Sequence, residues 1–185
     1  MKVNLQEQAG IQIDGASPLF DTEGMFYKEF PSDYRQIRYF TLLIVKKAPP
    51  EIKEINLLEQ QISELIKNAV KHGNKCDESK MVKVWYEFDL DRARVVVEDQ
   101  GEGFTDLERW NEFNRRRLEC LRSQNFEKLA DYVSFRTAKS DENDGGNAMF
   151  AALEYWNRGV CFNAKKNAVA VMKKFPKRRV GKELE

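Results

Sequence analysis

Two stretches decide the fold: SELIKNAVKHGN, residues Ser63 to Asn74, and VVVEDQGEGF, residues Val95 to Phe104. In and just before the first, Leu58, Ile62, Leu65, Ile66 and Ala69 recur at the spacing of one helix face. They predict a helix from about Glu51 or Asn56 to His72, stopped by Gly73-Asn74, glycine being favoured just past a helix end. Residues four apart on a helix stack on one side, so Glu64 and Asn68 point the same way, on a polar edge shared with Gln60, Gln61 and Lys71. A carboxylate can take a proton from a hydroxyl or water. An amide oxygen is a hard ligand of the kind Mg²⁺ accepts. The second stretch is a strand running into a turn. A carboxylate at a strand end, Asp99, can accept a hydrogen bond from an exocyclic amine such as that of adenine. Gly101 and Gly103 just after it let the backbone approach a flat ring.

Outward from these stretches the pattern alternates between the two periods. Met25 to Phe30 reads as a strand ending at Pro31, and Ser32 as the N-cap of a helix to about Lys47, broken by Pro49-Pro50. Met81 to Phe88 and Ala93 to Glu98 read as a strand pair joined at Asp91-Arg92. Residues 106–135 read as mainly helical. A short helix follows Gly145-Gly146, and two strands, Val160 to Asn163 and Ala168 to Phe175, close the domain. The order β-α-α-β-β-insertion-α-β-β implies an α/β two-layer sandwich, a mixed, mostly antiparallel sheet covered by helices on one face. Residues 1–25, with Gly10, Gly15, Pro18 and Gly24, read as an extension with one short strand, 26–176 as the domain and 177–185 as a basic tail.

Composition narrows the function classes. Of 185 residues 42% are hydrophobic, enough for a core. The balance of 31 Lys+Arg against 30 Asp+Glu argues against a nucleic-acid partner, which needs a basic surface. The best apolar run, Thr41 to Val45, falls far short of the ~18 residues of a membrane span, and the N-terminus lacks a signal-peptide core. Three scattered cysteines and the single His72 suit neither a disulfide scaffold nor a zinc site. These features predict a soluble cytoplasmic protein.

A third motif, Asp144-Gly-Gly-Asn-Ala-Met149, opens a helix, where free N–H groups and the dipole favour a phosphate. Each motif alone has an ordinary counterpart: a solvated pair, an acidic turn, a capped linker. In this order, with FPSDYRQIRYF at the entry (Phe30 to Phe40), GGNAMFAA (Gly145 to Ala152) and NAVAVMKKF (Asn167 to Phe175), the chain resembles the GHKL (Bergerat-fold) ATPases. It is most similar to their bacterial anti-sigma-factor serine kinases, over about residues 26–176. The resemblance implies that Glu64 is the general base, Asn68 the Mg²⁺ ligand, and Asp99 the adenine-reading carboxylate on a floor shaped by Gly101 and Gly103. Gly145, Gly146, Asn147 and Ala148 would hold the phosphates with Lys71. His72 matches a structural position. The chain departs from the family where Ala148 replaces a glycine, Asn147 an arginine, and Ala170 a threonine that supports the aspartate. Residues 104–145 form a long insertion, read as a lid, in which Arg136 and Lys139 are candidate γ-phosphate contacts.

The implied function is an ATP- and Mg²⁺-dependent serine/threonine protein kinase acting on an anti-anti-sigma (STAS-type) protein, or binding a sigma factor, with a homodimer as a family trait. The alternative is a non-catalytic partner-switching module of the same fold with weak or no nucleotide binding. A two-component sensor half is disfavoured because nothing resembles a phospho-acceptor helix.

Overall fold

The computed structural model describes residues 10–136 and 147–176. Strand β1 is Gln12–Ile13, and β2 is Phe26–Pro31. Ser32 N–H donates to Lys80 O (3.0 Å), so Pro31, one residue earlier, turns its missing donor to the open edge, where a proline costs no ladder bond. The next helix is capped by Asp33, not by the expected Ser32. Asp33 Oδ1 accepts the Arg35 N–H (2.9 Å), whereas the Ser32 hydroxyl donates inward to Lys80 O (3.0 Å). A 3-10 turn, Tyr34–Gln36, leads into α1, Ile37–Val45. Helix α2 is Ile55–Asn68; β3 is Met81–Phe88 and β4 is Arg92–Glu98. The insertion contributes α3, Leu107–Arg122, and α4, Phe126–Leu129. Then come α5, Ala148–Tyr155, β5, Val160–Phe162, and β6, Ala168–Lys174.

Among the described residues the six strands form one sheet in the order β1-β5-β6-β4-β3-β2. Only the β1–β5 pair is parallel; β2–β3, β3–β4, β4–β6 and β5–β6 are antiparallel. The alternation in the sequence explains the two layers. Val82, Val84, Tyr86, Ala93, Val95 and Val97 share a core with Leu58, Ile62, Ile66 and Val70 from the helical layer. Burying a side chain such as Leu58, Ile62 or Ile66 contributes about 1.5–3 kcal/mol each, and all three are fully inaccessible. On the opposite face Val96, Ala170 and Cys161 form one cross-strand row, also buried. The turn Pro18–Phe20 lies against β4 and β6, and β1 pairs with β5.

Candidate functional site

The end of α2 builds one wall of the site. After Asn68 the helix widens into a π-turn, Ala69–Gly73, in which Asn74 N–H reaches Ala69 O at 2.8 Å. Such turns recur at functional sites because the extra residue redirects the helix end. Lys75 and Cys76, both with φ near +57° (57° and 56°), reverse the chain at once. Glu64 and Asn68 stand one turn apart, both half-buried, as the spacing predicted, whereas Gln61, expected on the polar edge, is buried. Glu64 Oε2 lies 3.5 Å from Lys67 Nζ, a neighbour one turn on that the motif reading passed over. Both side chains are about one-third exposed (35% and 31%), so the pair itself is worth little stability.

The end of β4 supplies the opposite wall. Asp99 N–H donates to Asn167 O (2.9 Å), and its carboxylate accepts the Gly101 N–H at Oδ1 (2.8 Å). The carboxylate is pressed against Gly73. A Cβ on Gly73 would lie 2.3 Å from Asp99 Cγ, and one on Gly101 2.2 Å from Gly73 O. Gly103, at φ +90°, has no room either, 2.1 Å from Lys165 O. Gly101 and Gly103 meet backbone and so demand glycine, Gly73 has no room while the Asp99 carboxylate stays in place, and the loop presents bare backbone beside one carboxylate. Burial pushes the Asp99 carboxyl up to about 6. The Gly101 N–H opposes this, Glu98 adds to it, and Lys165 and Lys80 pull it back. A carboxylate with one N–H partner retains acceptor capacity for an amine donor. These residues fit an adenine ring.

The third region is described only in part. Gly145, Gly146 and Lys139 lie outside the described residues. Asn147 immediately precedes α5, exposed, with its carbonyl accepting Ala151 N–H (3.1 Å) and no capping bond from its side chain; Ala148 opens the helix. Arg136 lines a depression of about 640 Å³ along α3, with Arg109, Glu112, Phe113, Arg116 and Tyr132 among its other walls. Among the described residues no group of three or more His, Cys, Asp or Glu side chains could hold a metal, so a cation here would depend on Asn68 and a ligand's own oxygens.

Ala170 does not sit where the reading placed it. It pairs with Val96 of β4, three residues before Asp99, within the row on the far face of the sheet. The β6 positions level with the end of β4 are Ala168, opposite Glu98, and Asn167, bonded to Asp99. Asn74 and Asn167, to which the sequence alone assigns no role in the site, also belong to it. Asn74 is fully buried, and both touch the peptide that follows Asp99. The only signal for Asn74 was its place beside Gly73 at the helix stop.

Together the sheet order, the one-sided helical layer and the carboxylate wedged against a helix-ending glycine are those of a GHKL-type ATPase sandwich. The chain belongs to the histidine kinase-like ATPase domain family, whose model matches residues 30–147. Among characterised proteins it is similar to the anti-sigma F factor of Clostridium perfringens, in strains SM101, ATCC 13124 and 13. The identity is 36% over 64 residues, 35% of this chain and 46% of each relative. The chain thus spans about half the length of the curated relatives it matches. No helix among the described residues is long and apolar enough to cross a membrane.

Proposed function

We propose that this chain is an ATP- and Mg²⁺-dependent serine/threonine protein kinase of the anti-sigma type, acting on a small STAS-type anti-anti-sigma partner and regulating transcription by partner switching. One observation carries the proposal: the helix that bears Glu64 and Asn68 ends in the glycine against which Asp99 is packed. A base, a cation ligand and a base-reading carboxylate thus sit on two elements in direct contact. ATP would supply the phosphoryl group, and Mg²⁺ would neutralise its developing charge. Asp99 accepts the amine of the ring and rejects a guanine, which presents a carbonyl there. Gly101 and Gly103 leave the floor free of side chains. Asn68 offers its amide oxygen to the cation. Glu64 takes the proton of the attacking serine hydroxyl, a role typically worth ~10²–10⁴-fold in rate. The helix start at Asn147 and Ala148, with Gly145 and Gly146 before it, and Lys71, Arg136 and Lys139 are the remaining candidates for phosphate contacts.

The test compares wild type with Glu64→Ala for ATP and ADP binding by calorimetry and for phosphoryl transfer to a serine of a STAS-type protein. A kinase loses transfer in the variant and keeps nucleotide affinity. The second reading, a non-catalytic partner-switching module, is favoured by one feature, the Ala148 that stands in the glycine box. Weak or absent nucleotide binding in the wild type, with no transfer, is the outcome this reading expects.

A further inference from the structure

Asp99 is followed by a peptide unit that two asparagine side chains hold from opposite sides. Its carbonyl, Asp99 O, accepts a hydrogen bond from Asn167 Nδ2 (2.7 Å). Its N–H, on Gln100, donates to Asn74 Oδ1 (2.7 Å). The two asparagines come from the hairpin turn before β6 and from the turn after α2, 93 residues apart by their numbers (167 − 74). Each is itself oriented. Asn74 Nδ2 donates to Ser32 Oγ (2.8 Å) and to Met81 O (3.0 Å), so both its N–H donors are used inside a site with no solvent access. Asn167 Oδ1 accepts from Asn163 Nδ2 (3.0 Å), and Asn163 Oδ1 accepts the Asn167 N–H (3.1 Å). Gln100 closes the network by accepting the Met81 N–H (2.6 Å). Asn74 and Ser32 anchor the network, because moving either leaves a buried polar group unpaired.

We propose that Asn74 and Asn167 are positioning residues that lock the Asp99–Gln100 peptide plane and so aim the Asp99 carboxylate. Asn74 closes the first motif and Asn167 opens the last strand's, neither with a role of its own there, and both act through the Asp99–Gln100 peptide. The fixed plane sets where the chain re-enters at Gly101, whose N–H holds Asp99 Oδ1. It also keeps the carboxylate in the narrow space beside Gly73. The ligand arm of the test rests on the reading of Asp99 as the adenine contact; the ligand-free arm does not.

The experiment uses the full chain with Asn74→Ala, Asn167→Ala and each of these combined with Asp99→Asn. In the nucleotide-free protein the Asp99 carboxyl is titrated by carbon NMR. The expected result is a wild-type carboxyl raised by burial to about 6, with each clamp variant moved towards the ordinary carboxylate range as the loop opens to water. An unshifted titration in folded clamp variants overturns the proposal, whether or not the protein binds ATP. With ATP as the probe, each clamp variant loses about tenfold in affinity, the worth of one good hydrogen bond, and loses nothing further on the Asp99→Asn background. Equal losses on both backgrounds would show a general structural role and also overturn it. Wild-type protein that fails to bind ATP would sink the nucleotide reading alone, since the titration still decides the clamp. Should the buried Asn74→Ala variant not fold, Asn167→Ala, in a half-buried turn, carries both measurements.

Discussion

Gly73 and Asp99 occupy a space with room for one side chain: a Cβ on the first would stand 2.3 Å from Cγ of the second. A helix end and a strand end are thereby matched residue to residue. The carboxylate fills the volume that any other amino acid at the helix stop would claim. Gly73 has an ordinary negative φ, so its glycine is required by contact and not by backbone conformation.

Gly73→Ala follows directly. Alanine suits the backbone there and improves helix propensity, so the thermal midpoint should stay within a few degrees of wild type. Asp99 must swing aside, and ATP affinity measured by calorimetry should fall roughly 10- to 100-fold, as a lost charge-assisted hydrogen bond demands. Unchanged affinity would mean that Asp99 has no role in binding.

The raised Asp99 carboxyl makes a two-sided pH prediction. In the unfolded chain this group loses its proton near 3.8, and in the folded protein near 6. The folded state therefore binds more protons between these values. The group's stabilising contribution is complete below 3.8 and is lost as pH rises through 6. Asp99→Asn should be more stable than wild type at pH 7.5, by about 1–2 kcal/mol after discounting for solvent screening of a half-exposed group, and no more stable below pH 4. Ligand affinity runs the other way. The ionised carboxylate is the acceptor, so ATP binding to wild type should weaken as pH drops below about 6. Denaturant curves at the two pH values and calorimetry from pH 5 to 8 check both halves.

How much of this was legible beforehand follows from which forces act locally. The α2 face, the β3–β4 pair and the closing hairpin were readable because each carries its own period, seen in Leu58-Ile62-Leu65-Ile66 and in Val82-Val84-Tyr86. Glu64 and Asn68 fall one turn apart, as their spacing implies, because position on a single helix suffices to align them. The cap shifted from Ser32 to Asp33 because a tertiary partner, Lys80 O, competes for the serine hydroxyl. Asn74 and Asn167 were invisible for a similar reason. Their partners are 26 and 68 residues away in sequence, and no local pattern marks a long-range hydrogen bond. Ala170 was misplaced because register across β4 and β6 is set by the whole ladder, and a shift of two residues preserves the alternation of faces.

Asn68→Ala separates cation binding from helix integrity. Wild-type affinity for ATP should rise when Mg²⁺ is added, and the variant should lose most of that increment while its Mg²⁺-free affinity stays close to wild type. Calorimetry with and without Mg²⁺ measures it. If Glu64→Ala and Asn68→Ala both lose Mg²⁺-free affinity equally, helix damage and not ligation explains the loss.

The insertion offers the last test. Its first helix is fastened at several points. Leu107 and Trp110 are fully buried in the main core, Trp110 packs on Phe150 of α5 at 5.3 Å between ring centroids, and Asn111 holds both backbone groups of Ile11 (2.8 and 2.9 Å). Lys166 bonds Glu108, and Gly103 is wedged against Lys165 O. Swinging α3 as a unit would expose Trp110 and break these contacts, so a closing motion has to leave its first turns in place. Hydrogen exchange should therefore show residues 107–118 strongly protected before nucleotide is added, with any nucleotide-dependent protection falling after Arg122. Trp110→Ala should cost about 3–5 kcal/mol, as an emptied aromatic core position does. Trp110→Phe should cost much less, because the buried indole N–H has no hydrogen-bond partner and its removal relieves an unmade bond. Rapid exchange throughout 107–118 in the nucleotide-free protein, reversed by Mg-ATP, would instead make α3 itself the moving part.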